Sequence, residues 1–169
     1  SPTASPTSSP TDGGASTASS GNEAVPTTLY LMDIPLLQSS GDQPGVYVAA
    51  TGLAGWKGAT IMRSSDGTNY SSLGSLTLAS TAGIATTALA NGSPFYMDNA
   101  NTVNVQVIQG TLSSCSWLDL SNGANAALLG NEIIQFQTAT LTAPGLYTLS
   151  NLLRARRGTE SATSTHAVG

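Results

Sequence analysis

The sequence predicts a mainly β protein: an antiparallel β-sandwich or barrel with one or two short helical turns, preceded by an extended Pro/Ser/Thr-rich arm. Three observations carry this. Charged residues make up 8% of the 169, against about 25% in an ordinary soluble domain, so the Glu and Lys that cover exposed helix faces are missing. Short apolar runs recur at close spacing with Gly, Pro and Asn between them, the punctuation of antiparallel strands. Finally, Thr102-Val103-Asn104-Val105-Gln106-Val107 alternates strictly, which puts three valines on one face of a strand and polar residues on the other.

Taken in order, residues 1–26 read as a low-complexity linker or arm. No aliphatic residue larger than Ala precedes Val25, so this stretch can bury no face of its own. Its prolines bias it toward extended, polyproline-like backbone. Residues 27–169 read as the β-rich module. A first strand at 28–32 stops ahead of Pro35. Residues 39–45 form a turn cluster, 46–50 the next strand, and 52–58 a loop carrying Trp56. A strand at 59–64 leads to Asp66-Gly67, the signal of a tight turn. Leu73, Leu76 and Leu78 mark a Ser/Thr-rich strand, and 83–89 follows it. Beyond the valine strand, further strands are predicted at 116–120, 132–137 and 145–149. Helical turns are predicted at 122–130, ended by Gly130, and at 150–158, with Ser150 or Asn151 as N-cap.

The composition also bounds the chemistry. Five basic residues against nine acidic ones give a net charge of −4, which argues against a nucleic-acid-binding domain. With one Cys, Cys115, and one His, His166, neither an internal disulfide nor a His/Cys zinc cluster can form. Cys115 reads as a small buried hydrophobe rather than a nucleophile. Paired carboxylates for glycoside hydrolysis would come from Asp33, Asp42, Asp66, Asp98, Asp119, Glu132 and Glu160. Asp42, Asp66 and Asp98 sit in turn contexts where Asp has a routine structural role, and Glu132 opens a strand as a solvated residue or ion-pair partner. A Ser/His/Asp triad would need His166, and no Gly-x-Ser-x-Gly elbow is present. No catalytic residue, cofactor site or metal site is therefore expected. Arg154, Arg156 and Arg157 hold three of the five basic charges and read as an electrostatic clasp onto carboxylates, Glu132 or Glu160 among them, ahead of a phosphate or lipid contact. Trp56 and Trp117 offer a sugar platform as the alternative to core packing.

A colinear series of motifs adds a resemblance. Leu31-Met32-Asp33-Ile34-Pro35-Leu36-Leu37, Pro44-Gly45-Val46-Tyr47-Val48, Gly55-Trp56-Lys57-Gly58 and Arg63-Ser64-Ser65-Asp66-Gly67 occur in order. Asn122-Gly123-Ala124-Asn125 through Glu132-Ile133-Ile134-Gln135-Phe136 follows, then Tyr147-Thr148-Leu149-Ser150-Asn151-Leu152-Leu153-Arg154 and Arg156-Arg157-Gly158-Thr159-Glu160. From about Thr27 to His166 the chain resembles a module of phage tail-tip and baseplate hub proteins, including those of gene transfer agents. Ala155 stands where the resemblance leads one to expect Gly. The resemblance implies a large multidomain parent, trimeric around the tail axis, located in the virion at the tail tip. It also implies a further strand beyond His166, so that the chain would be a truncated domain.

Two classes of function compete at this stage. The first is a structural hub module that contacts other copies of itself and other tail or baseplate proteins, with transient host-envelope contact and passage of DNA but no specific nucleic-acid binding. The second is a receptor- or carbohydrate-binding β-sandwich of a tail fibre, using Trp56, Tyr70 and Tyr96 in loops. An enzyme is not expected.

Overall fold

The computed structural model describes residues 25–37 and 45–169; nearly all of the arm at 1–26 and the turn cluster at 39–45 lie outside the described residues. The fold is mainly β, with antiparallel sheets that include a curled half-barrel. Strands β1 (Thr27–Met32) and β2 (Tyr47–Gly52) pair as a two-stranded ribbon, with Thr27 opposite Gly52 and Met32 opposite Tyr47. Strands β3 (Ala59–Arg63) and β4 (Ser71–Leu76) form a second ribbon. The Asp66 carboxylate closes the turn between them by accepting from the Thr68 and Asn69 amides, the Asn69 side chain and the Ser64 hydroxyl. Those donors, Asn69 first, hold its carboxyl well below the usual carboxylate range.

The main sheet has the order β5-β6-β9-β8-β7, from β5 (Ala82–Ala85), β6 (Val103–Gln109), β7 (Ala126–Leu129), β8 (Glu132–Ala143) and β9 (Leu146–Leu153). Its spine is the long β8–β9 hairpin. Pro144-Gly145 makes the corner: Pro presets the first turn position, and Gly145 takes φ +71° at the second, as a type II turn requires. One face carries the core of Ala85, Leu89, Val103, Val107, Phe136, Tyr147, Leu149 and Leu152, with Val105 half-buried against it. The valine alternation in β6 therefore feeds this core. Leu149 and Leu152 both reach it although strict alternation would send residues three apart to opposite faces. Asn151 lies between them at φ +54°, which turns the strand and resets its phase.

The structure reassigns three segments. Residues 116–120, expected as a strand, lie in a short helix, α1 (Trp117–Ser121). Ser116 caps it by accepting from the Asp119 amide while its hydroxyl donates to the Asp119 carboxylate, a reciprocal cap that outweighs the apolar alternation. Residues 122–130, expected as a helical turn, divide into a turn and β7; Gly123 at φ +98° and Asn125 at φ +54° take the chain out of helical backbone. Residues 150–158, also expected as a helical turn, continue β9 as far as Leu153, because Thr138 and Phe136 of β8 are already paired with Ser150 and Leu152. Only Arg156–Gly158 and Glu160–Ala162 form single 3-10 turns.

Leu152 is fully buried opposite Phe136. Leu152→Ala is expected to cost about 2–5 kcal/mol, while Leu73→Ala on the exposed face of β4 should stay within about 0.5 kcal/mol. Urea denaturation of the two variants measures the difference.

Candidate functional site

The first five residues of β8, Glu132 to Phe136, are all buried. Alternation puts Glu132, Ile134 and Phe136 on the core face and Ile133 and Gln135 on the opposite one. On neighbouring β9, Leu152 lies opposite Phe136, and Arg154 comes two residues later. The apolar row of the core thus ends in an ion pair, Glu132 with Arg154, with relative exposures of 0% and 1%.

Every donor of the Arg154 guanidinium is used. Nε donates to Glu132 Oε1 at 2.8 Å and Nη2 to Glu132 Oε2 at 2.9 Å, a bidentate fork. Nη2 also donates to the Ser164 carbonyl at 3.3 Å. Nη1 donates to the Ala90 carbonyl at 2.8 Å and to Asp98 Oδ2 at 3.3 Å. Five N–H groups meet five acceptors, the full complement of an arginine. Glu132 is equally occupied: the Ala155 amide donates to Oε1 at 2.8 Å, and His166 Nε2 donates to Oε2 at 2.6 Å. Asp98 accepts from the Ala100 and Asn101 amides and from the Asn101 side chain. Its own backbone exchanges two hydrogen bonds with Leu152, of 2.8 and 3.0 Å. Burial pushes both carboxyls up, but the opposing interactions win and both are held below their usual range. For Glu132 these are the hydrogen bonds from Arg154, His166 and Ala155; for Asp98, those from Asn101 and Ala100 with the Arg154 charge.

The structure separates the three arginines. Arg156 is half-buried and donates from Nε to Gln135 Oε1 at 2.7 Å. Gln135 in turn holds the end of α1 by donating to the carbonyls of Leu120 and Ala124. Arg157 and Glu160 are exposed, and among the described residues neither makes an ion pair. Ala155 and Arg157 both take left-handed backbone, φ +50° and +59°. This sharp break after β9 sends the three side chains in different directions.

Sequence reasoning missed two members of the cluster. Asp98 does make the Asx-type turn its sequence context suggests, but one carboxylate oxygen of that turn also faces Arg154. His166 is joined to the site by a backbone bridge to Leu89, with hydrogen bonds of 3.0 and 2.8 Å, and no local pattern in the sequence announces it. Among the described residues no three His, Cys, Asp or Glu side chains group as metal ligands. The oxygens of Glu132 are saturated by protein donors. The Cys115 thiol is half-buried, and burial together with the Asp119 charge raises its pKa, the opposite of an activated nucleophile.

The aromatic candidates lie on different elements. Trp56 is half-buried against Gly52, with its indole N–H donating to the Thr27 hydroxyl at 2.8 Å, so it pins the β1–β2 ribbon. Tyr70 is exposed just ahead of β4, and Tyr96 is exposed in the loop that precedes β6. Trp117 is also exposed, at the start of α1.

Arg154→Gln, which leaves Glu132 buried without its charge partner, is expected to cost about 3–5 kcal/mol, whereas Arg157→Gln should change stability by less than about 0.5 kcal/mol; equilibrium unfolding distinguishes them. The depressed carboxyls also fix a pH dependence. Their contribution is complete above the unfolded-state values of about 3.9 for Asp and 4.3 for Glu, and it is lost as pH falls through the lower folded-state values. Melting temperature should therefore drop steeply below about pH 4, and the drop should shrink in Asp98→Asn.

Residues 80–169 match the family described as Rcc01698-like, C-terminal. No curated protein matches the chain. The matched region begins just ahead of β5 and contains Asp98, Glu132, Arg154 and His166, so the whole charged cluster lies within it. With more than half of its residues matched, the chain belongs to the Rcc01698-like, C-terminal family.

Proposed function

We propose that this chain is a structural module of a phage-like tail tip, a baseplate hub component whose work is contact with neighbouring subunits. The observation that carries the reading is the family itself, which is named after a protein associated with gene transfer agents. In this reading the module sits in the virion, packs against other copies of itself around the tail axis, most simply as a trimer, and meets other tail or baseplate proteins. It supports host attachment and DNA delivery without binding nucleic acid specifically and without catalysing a reaction.

Surface chemistry supports the reading. Leu29 and Leu31 on β1, Met62 on β3, Leu73 on β4 and Leu78 just after it are all exposed. Two-stranded ribbons are marginal in water unless a hydrophobic face is covered, and exposed apolar groups on such ribbons mark contact surfaces. The scarcity of charge, 8% of residues, suits a surface that faces protein in a permanent assembly. The buried cluster at Arg154 gives such a module a rigid frame.

A photoreactive residue at Leu73, cross-linked in assembled particles and identified by mass spectrometry, tests this. The expected products join Leu73 to another copy of the chain or to a second tail protein. Products confined to the chain itself, or an absence of the chain from tail tips, would contradict the reading.

A further inference from the structure

The loop ahead of β6 carries a feature that neither the core nor the assembly reading uses. Phe95 and Tyr96 stand side by side at its tip with relative exposures of 91% and 70%. Large aromatic surfaces left this open on a well-anchored loop indicate a contact. The anchoring is unusually firm. Asp98 pairs its backbone with Leu152, and its carboxylate faces Arg154 and three N–H groups of Ala100 and Asn101. The Ala90 carbonyl, at the other end of the loop, accepts from the same guanidinium. Gly92 is pressed against this pair: a Cβ there would come within 2.5 Å of Asp98 Oδ2 and 2.7 Å of Arg154 Nη1. The aromatic tip is therefore presented on fixed backbone rather than on a wandering loop.

Beside Tyr96 lies an open depression of about 570 Å3, lined by Met97 and by the polar side chains of Asn91, Ser93, Asn99 and Asn101. Asp98, the one charged residue in its lining, is already committed to Arg154 and the loop amides. Carboxamides offer both donors and acceptors. Among the described residues, the side chains of Asn91 and Asn99 make no hydrogen bond within the protein, and both are exposed.

We propose that this depression is a binding site for a neutral sugar, with Tyr96 stacking on the ring and the carboxamides of Asn91 and Asn99 meeting its hydroxyls. A sugar ring presents an apolar C–H face bordered by groups that both donate and accept, which matches an apolar floor of Tyr96 and Met97 bordered by uncharged amides. An anionic ligand would find no Lys or Arg in the lining. Phe95 and Met97 flank Tyr96 in the chain, but the lining side chains around them are Asn, Ser and Asp rather than the apolar surround of a protein hot spot. Trp56, tied to Thr27, and Tyr70, on the other ribbon, take no part. The site does not depend on the assembly reading, since a lone chain carries all of it.

Saturation-transfer NMR on the 169-residue chain tests it, using glucose, galactose, mannose, rhamnose and N-acetylglucosamine, each at about 10 mM, enough to populate a site with a Kd near 1 mM. The expected result is transfer to the ring protons of at least one sugar, reduced about fivefold or more by Tyr96→Ala, weakened by Asn99→Ala, and unchanged by Tyr70→Ala. Tyr96 and Asn99 are exposed and outside the core, so both variants should retain the spectrum of the folded chain. Transfer to none of the sugars, the outcome if the loop is instead a protein contact, would overturn the proposal. So would transfer that survives Tyr96→Ala.

Discussion

A buried guanidinium must have all its N–H groups satisfied, or the fold pays several kcal/mol for the omission. Arg154 meets that demand only when four separate segments are in place: the start of β8 supplies Glu132, the loop before β6 supplies Ala90 and Asp98, the segment after the 3-10 turns supplies Ser164, and the residue just past the end of β9 is the arginine itself. His166 adds a further tie from the C-terminal segment to Glu132. None of these segments can shift without leaving an N–H of the buried charge unpaired. The consequence is specificity of arrangement more than net energy, because an apolar replacement of the entire network could be as stable while fixing nothing.

The peripheral features follow from that constraint. Leu89 and His166 pair because the C-terminal segment must run past the Glu132 end of the sheet, and the bridge between Asp98 and Leu152 extends the ladder of β9 beyond its pairing with β6. The aromatic tip at Phe95 and Tyr96 is held by the same anchor. By contrast, the β1–β2 and β3–β4 ribbons contribute no residue to the cluster and keep apolar side chains exposed. The molecule thus combines a sheet fastened by a buried ion pair with thin ribbons that keep apolar side chains exposed.

Local pattern made much of this legible. Strict alternation gave the valine strand, Asp-Gly gave the β3–β4 turn, and the crowding of arginines after Leu153 marked a place where charge meets protein. The failures share a cause. At 116–120 an apolar alternation hid the Ser116/Asp119 cap, a short-range polar signal that decides the segment. At 150–158 good helix-forming residues were overridden by pairing with β8, a partner many residues away that local propensity cannot register. Asp98 was assigned a turn role that it does fill, but its second role depends on Arg154, 56 residues later. His166 joins the cluster from 34 residues beyond Glu132. Long-range charge pairing leaves no periodic trace in sequence, which is why Glu132 could be named as a partner of the arginines while the arrival of Asp98 and His166 at the same site could not be foreseen.

A double-mutant cycle between Arg154 and Glu132 tests the central claim most directly, with the unfolding free energies of Arg154→Met, Glu132→Gln and the double variant compared with the parent chain. If the buried fork governs the fold, each single change leaves its partner stranded, and the double variant should be more stable than the sum of the two losses predicts by about 2 kcal/mol or more. Additivity within about 0.5 kcal/mol would contradict the account.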